Sequence, residues 1–134
     1  AQTFTVNNLD SILLNQATID FGASSPSTSN VAGTTEVISN TGNQLYTSTT
    51  LTGYALTSGS FVIDAPNFCG ANASNPAMCN YLANNSAVAI PGISMTKGPA
   101  AQTSVYHYAN IPGGSATGIY NAQSNWIYTL ALKE

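Results

Sequence analysis

The sequence predicts an all-β fold: a single two-sheet β-sandwich of jelly-roll or Ig-like type, with an N-terminal strand protruding from it. Three observations carry this expectation. Apolar residues recur with period two rather than 3.6. The runs are filled with β-branched and aromatic residues. Turns rich in Gly, Pro and Asn separate them at regular spacing. At 134 residues the chain is one domain by length, and its 43% apolar share suffices for a core.

The elements follow in chain order. In residues 1–9, Val6 and Phe4 alternate with Thr3, Thr5 and Asn7, which reads as a strand. Residues 9–17 hold enough leucine for one short helical turn. Ala17, Ile19 and Phe21 alternate with Thr18 and Asp20, and Glu36 opens the next strand. From Asn43 to Gly53, the residues Leu45, Thr47, Thr49 and Leu51 are expected on one face. Phe61 and Ile63 form a short strand ended by Asp64. Residues 67–86 read as the longest insertion. Val88 with Ile90, and Ile93 with Met95, make two short strands around Pro91-Gly92. Val105, His107 and Ala109 share a face opposite Tyr106 and Tyr108. Trp126, Tyr128, Leu130 and Leu132 form the last strand. About eight or nine strands result, with residues 10–134 as the sandwich.

Charge excludes several classes of function. Charged residues are 5% of the chain, against roughly 25% in ordinary soluble domains. Lys97 and Lys133 are the two cations, too few to neutralise a phosphate backbone, so no nucleic-acid partner is expected. No run of eighteen apolar residues occurs, so no transmembrane helix is expected. The start at Ala1, with no Met and no apolar leader, reads as a processed N-terminus. Ser and Thr number 31 and Asn 15. Such a neutral-polar surface offers little repulsion between copies, and it suits an assembly or a glycan coat.

Cys69 and Cys79 match no CxxC metal or redox spacing. They flank a Gly-, Asn- and Pro-rich loop and read as a disulfide formed in an oxidising compartment; the alternative is two buried thiols. The sequons Asn72-Ala73-Ser74 and Asn84-Asn85-Ser86 make Asn72 and Asn84 candidate N-glycan acceptors.

Little else points to chemistry. His107 is the one histidine, and the carboxylates Asp10, Asp20, Asp64, Glu36 and Glu134 show no metal-ligand spacing. No GxSxG elbow is present. His107 therefore reads as structural. No enzyme activity, cofactor or metal is expected. The seven tyrosines and Trp126 read as packing residues, although exposed aromatics are also the stacking platforms of sugar-binding sandwiches.

The N-terminus carries most functional information. A strand-like run at the end of a chain can pair within its own domain, or it can leave and complete a neighbour by β-strand addition. Burying Phe4, Val6 and Leu9 would contribute roughly 1.5–3 kcal/mol each. A head-to-tail link of this kind does not close and so builds filaments. Thr3, Phe4, Thr5, Val6, Asn7 and Leu9 are the candidate interface.

The sequence resembles a known family in four places: Ala17-Thr18-Ile19-Asp20-Phe21-Gly22, Glu36-Val37-Ile38-Ser39-Asn40-Thr41-Gly42-Asn43, Leu51-Thr52-Gly53 and Gly118-Ile119-Tyr120. In these it is similar to TasA-like secreted β-sandwich filament proteins, nearest to archaeal bundling-pilus subunits. The clearest match spans residues 17–59. The resemblance implies an extracellular, cell-surface filament of pilus or biofilm type, a helical homopolymer of identical subunits joined by donor-strand complementation. It carries the donor role onto residues 1–9 and no role onto His107. The cysteine loop and the scarcity of charge depart from the family pattern. The competing expectations are a secreted adhesive or carbohydrate-binding sandwich module and a shell protein.

Overall fold

The computed structural model describes residues 2–3, 5–6, 9–97 and 101–132. Its twelve strands are β1 (Ile12–Leu14), β2 (Val31–Ala32), β3 (Glu36–Asn40), β4 (Tyr46–Gly53), β5 (Leu56–Ser58), β6 (Phe61–Ile63), β7 (Phe68–Ala71), β8 (Asn80–Tyr81), β9 (Ser86–Ala89), β10 (Gln102–Ala109), β11 (Asn121–Ala122) and β12 (Ile127–Leu132). The expected all-β, sandwich-like class is what forms. Every strand pairing is antiparallel.

One sheet runs β1-β3-β10-β7-β8, with β2 also on β10; a second runs β12-β4-β9; a third, smaller one runs β11-β5-β6. The long β10 is the spine of the first sheet. Val105 faces inward beside Ile38 of β3, and β4 contributes Leu51 to the same core; all three are fully buried. Phe68, Ile90 and Ile93 complete the centre. Each such side chain contributes about 1.5–3 kcal/mol by leaving water.

Several expectations are corrected. Residues 9–17 hold no helical turn; Ile12–Leu14 pair as β1 with Asn40, Ser39 and Ile38. A run of three apolar residues fits either period, and the open edge of β3 decides. Ala17–Phe21 is not a strand. It runs loosely beside the start of β3, where Thr34 N–H donates to the Asp20 carbonyl at 2.9 Å. The 67–86 stretch is not merely an insertion. Its first part is β7, buried at all four residues and paired with β10. A strand buried on both faces shows no alternation, so period two cannot reveal it. Ile93–Met95 forms a single bridge, between Met95 and Tyr46, rather than a strand.

In β4 the expected single face breaks. Tyr46, Thr49 and Leu51 are buried, and Thr47 is exposed. The register against β12 skips Thr47, pairing Ala131 with Ser48 and Leu132 with Tyr46. This bulge shifts the phase by one residue.

Neutral amides close many of the turns. Buried Asn40 donates to the carbonyls of Gln44 (2.7 Å) and Thr96 (3.0 Å) and accepts from Gly42 N–H (3.1 Å). Asn75 accepts from Ala77 N–H at the turn Pro76–Met78. Cys69 and Cys79 form the expected disulfide, with Cα atoms 5.5 Å apart, and tie this turn back to β7. A loop this short stabilises by roughly 2.5–3 kcal/mol in the chain-entropy model.

Candidate functional site

Among the described residues each sheet ends in two edge strands: β1 and β8 in the first, β12 and β9 in the second, β11 and β6 in the third. An unpaired edge presents a row of free N–H and C=O groups. Between the continuation of β1 and the approach to β12 lies a cleft of about 650 Å3. Leu14, Ile19 and Phe21 line it from one stretch of chain and Leu56, Tyr120 and Trp126 from others, interleaved with the polar Asn15, Gln16, Thr18, Asn121 and Asn125. Its size falls within the range of about 300–1,000 Å3 usual for binding pockets.

Glu36 lies at the bottom of this cleft. The residue is 1% exposed yet belongs to the lining. One carboxyl oxygen accepts from Gln16 N–H at 3.0 Å. Burial pushes its pKa above the ordinary carboxylate value, against the pull of the Gln16 and Asn15 backbone N–H groups. Sequence reasoning put Glu36 at a strand start and went no further. Its inward position was legible, since Glu36 and Ile38 share a face at period two.

Tyr128 of β12 also lines the cleft, and its hydroxyl meets His107 Nε2. The Nδ1 of His107 lies 2.8 Å from the Thr34 carbonyl. A carbonyl can only accept, so Nδ1 carries the proton, and Nε2 of the neutral ring accepts from Tyr128. Both ring nitrogens are thus engaged inside the sandwich. Burial lowers the His107 pKa, with the Thr34 carbonyl opposing it. Burial, followed by the nearby Glu36 charge, raises that of Tyr128.

Trp126, Phe21 and Phe68 pack against one another, whereas Phe61 and Tyr81 are exposed. Trp126 sits edge-on to Phe68 at 5.6 Å between centroids, and Phe21 lies 5.2 Å from Phe68. The indole N–H of Trp126 donates to the Tyr54 carbonyl at 3.0 Å. A ring held in this way joins the walls of the cleft together and offers little free face for stacking a sugar.

The N-terminal candidates lie elsewhere. Phe4 and Asn7 fall outside the described residues. Thr3, Thr5, Val6 and Leu9 are exposed, Val6 at 70%, and none of them lines the cleft. Leu9 is the point of attachment: its N–H donates to Asn43 Oδ1 at 2.7 Å, and its carbonyl accepts from Asn43 N–H at 2.9 Å. Gly42 permits this approach, because a Cβ there would stand 2.1 Å from the Leu9 carbonyl oxygen. Nearby, Tyr46 donates its hydroxyl to the Asp10 carboxylate. Burial, together with that carboxylate, pushes the Tyr46 pKa up to about 12.

The two sequons differ. Asn72 is exposed, with its amide resting over Gly92. Asn84 is exposed, but its amide is engaged: Oδ1 accepts from Ala65 N–H at 2.8 Å and Nδ2 donates to Asp64 at 3.2 Å. Among the described residues, no group of three His, Cys, Asp or Glu side chains could hold a metal ion, and no helix is long and apolar enough to cross a membrane. No protein-family model matches the chain, and neither does any curated protein or solved structure.

Proposed function

We propose that this chain is the structural subunit of an extracellular filament or pilus, polymerised head to tail when residues 1–9 of one copy seat in the β1–β12 cleft of the next. One observation carries the reading. The cleft is bordered by Leu14 of the edge strand β1 and Tyr128 of the edge strand β12 and carries apolar patches at Leu14, Ile19, Leu56 and Trp126, while the apolar residues Val6 and Leu9 of the N-terminal run are left exposed. The two features are complementary. An incoming strand would satisfy edge backbone groups, and its apolar face would cover Leu14, Ile19 and Leu56. Thr3, Thr5, Val6 and Leu9 are not part of the cleft lining, so a contact that seats this run in a neighbour's cleft is heterologous and propagates. The disulfide agrees with an oxidising, extracellular location, and the low charge agrees with close contact between copies and with glycans at Asn72 or Asn84. The sugar-binding alternative is less well supported, because Trp126 is occupied by packing and the exposed rings of Phe61 and Tyr81 stand on different sheets.

Removing residues 1–9 tests the proposal. The truncated chain is expected to remain a folded monomer by circular dichroism and sedimentation, and to join no filament. Filaments of normal length from that truncation would overturn the reading. A monomeric full-length protein with strong hits on a glycan array would favour the carbohydrate-binding module.

A further inference from the structure

The two sequons sit in different kinds of backbone. Asn84-Asn85-Ser86 is built into the fold. Asn84 bridges to Gly53, Asn85 turns the chain with a φ of 52°, and Ser86 begins β9. The Asn84 amide is held at both ends: Oδ1 accepts from Ala65 N–H at 2.8 Å and Nδ2 donates to Asp64 Oδ1 at 3.2 Å. Ala65 is fully buried, so Asn84 satisfies a backbone donor that is costly to leave unpaired. Asn85 is engaged as well. Its side chain accepts from the Tyr54 hydroxyl, and its N–H donates to the Gly53 carbonyl, each at 2.9 Å. An amide pinned at both ends of its plane cannot turn into an enzyme's active site without breaking both bonds.

Asn72-Ala73-Ser74 is the opposite case. It lies in the loop between β7 and β8, outside any strand, and both Asn72 and Ser74 are exposed. Neither side chain makes a hydrogen bond among the described residues. The Asn72 amide rests over Gly92, where a Cβ would stand 2.1 Å from Nδ2. Turning this amide outward therefore costs a contact and no bond. The Cys69–Cys79 disulfide closes the loop at its base, so the sequon stands out as a short exposed loop. The strand order places the β7–β8 hairpin at the edge of the first sheet remote from β1, and Asn72 is not part of the cleft lining.

We propose that Asn72 is an N-glycan acceptor in the folded chain, and that Asn84, despite its matching sequon, is a structural amide closed to modification once the fold has formed. The donor is an oligosaccharide carried on a lipid phosphate. Asn72 Nδ2 bonds to the anomeric carbon as the bond from that carbon to the phosphate oxygen breaks. Nδ2 gives up one of its two protons to a base of the transferase, and the lipid phosphate leaves as the anion. The inference rests on the extracellular location in the reading above and on nothing in its account of polymerisation.

The test offers the folded, oxidised full-length chain to a purified single-subunit oligosaccharyltransferase that accepts Asn-x-Ser, with lipid-linked oligosaccharide as donor. Products are mapped by glycopeptide mass spectrometry. Synthetic peptides of residues 70–77 and 81–89 serve as references and are expected to react at similar rates. In the folded chain Asn72 is expected to react on the order of tenfold or more faster than Asn84, the cost of breaking two hydrogen bonds. Asn84→Gln is expected to lower the urea midpoint, and Asn72→Gln to leave it unchanged. Equal or faster reaction at Asn84 in the folded chain would overturn the proposal. So would an inert Asn72 there when its peptide reacts, or equal midpoints in the two variants. Each of these results leaves the filament reading intact. A failure of the extracellular location is seen separately, as free thiols at Cys69 and Cys79 on alkylation of native material, with the selectivity of the folded chain unchanged.

Discussion

The hydroxyl of Tyr128 donates to Nε2 of His107, and in doing so it ties β12 of one sheet to β10 of another across the floor of the cleft. The same ring holds the loop before β3 through Nδ1 and the Thr34 carbonyl. One neutral imidazole thus fastens three segments that meet behind Glu36.

Tyr128→Phe keeps the ring and removes the hydroxyl. It leaves His107 Nε2 buried without a donor, because the proton on Nδ1 remains with Thr34. A loss on the order of 1–3 kcal/mol is expected in urea unfolding. Tyr54→Phe is the comparison, since its hydroxyl bonds Asn85 near the surface; a loss of roughly 0.5 kcal/mol or less is expected there. Equal losses in the two variants would show that the His107 bond contributes nothing special.

Glu36 gives stability a pH dependence of definite sign. Its folded pKa is raised above the ordinary value of 4.5 by burial, so the folded state holds the proton more tightly than the unfolded chain does. That contribution is fully present below about pH 4.5 and is lost as pH rises through the raised value. His107 works the other way: its folded pKa is below 6.5, so its contribution is present above that pH and is lost as pH falls through the lowered value. Glu36→Gln removes the first term and keeps the second. The stability of the variant relative to wild type should therefore grow as pH rises from 4 to 7, measured by denaturant midpoints. A difference that stays flat across that range would rule out the carboxyl as its source.

Gly42→Ala addresses the attachment of the N-terminal segment. The new Cβ would collide with the Leu9 carbonyl, a backbone atom, and crowd Ser11 N. The segment must move, breaking its bonds to Asn43. Overpacking of this kind typically costs about 1–3 kcal/mol. Amide hydrogen exchange at Leu9 and Asn43 should accelerate, while exchange in β10 changes only with global stability. Unchanged exchange at both residues would mean that the contact is not what holds Leu9.

The strands most legible in the sequence are those with one wet face. β10 buries Val105, His107 and Ala109 at period two, with Tyr108 buried beside them under β2 and β7, and Phe61–Ile63 and residues 127–132 are strands where period two places them. β7 was hidden because Phe68-Cys69-Gly70-Ala71 is buried throughout and has no alternation to read. Ala17–Phe21 alternates as a strand should, yet its outward edge meets the cleft rather than another strand. The pattern records which face is apolar, and it cannot record whether a neighbour is present. The site was half legible for a similar reason. Exposed apolar residues near the N-terminus are visible in the sequence, whereas a cleft exists only once β1 and β12 stand apart across the fold.

Asn40 and the other amides that close the turns carry no charge. Their bonds do not weaken when dissolved ions shorten the reach of electrostatic forces, and they need no particular acidity to keep their donors and acceptors in place. Brine and fresh water are nearly the same medium to such a framework. What remains responsive to the surroundings is a short set of ionisable groups among the described residues, Glu36 and His107 beside the cleft and the carboxylates of Asp10, Asp20 and Asp64 at single turns and loops, so a chain assembled in this way leaves most of its framework indifferent.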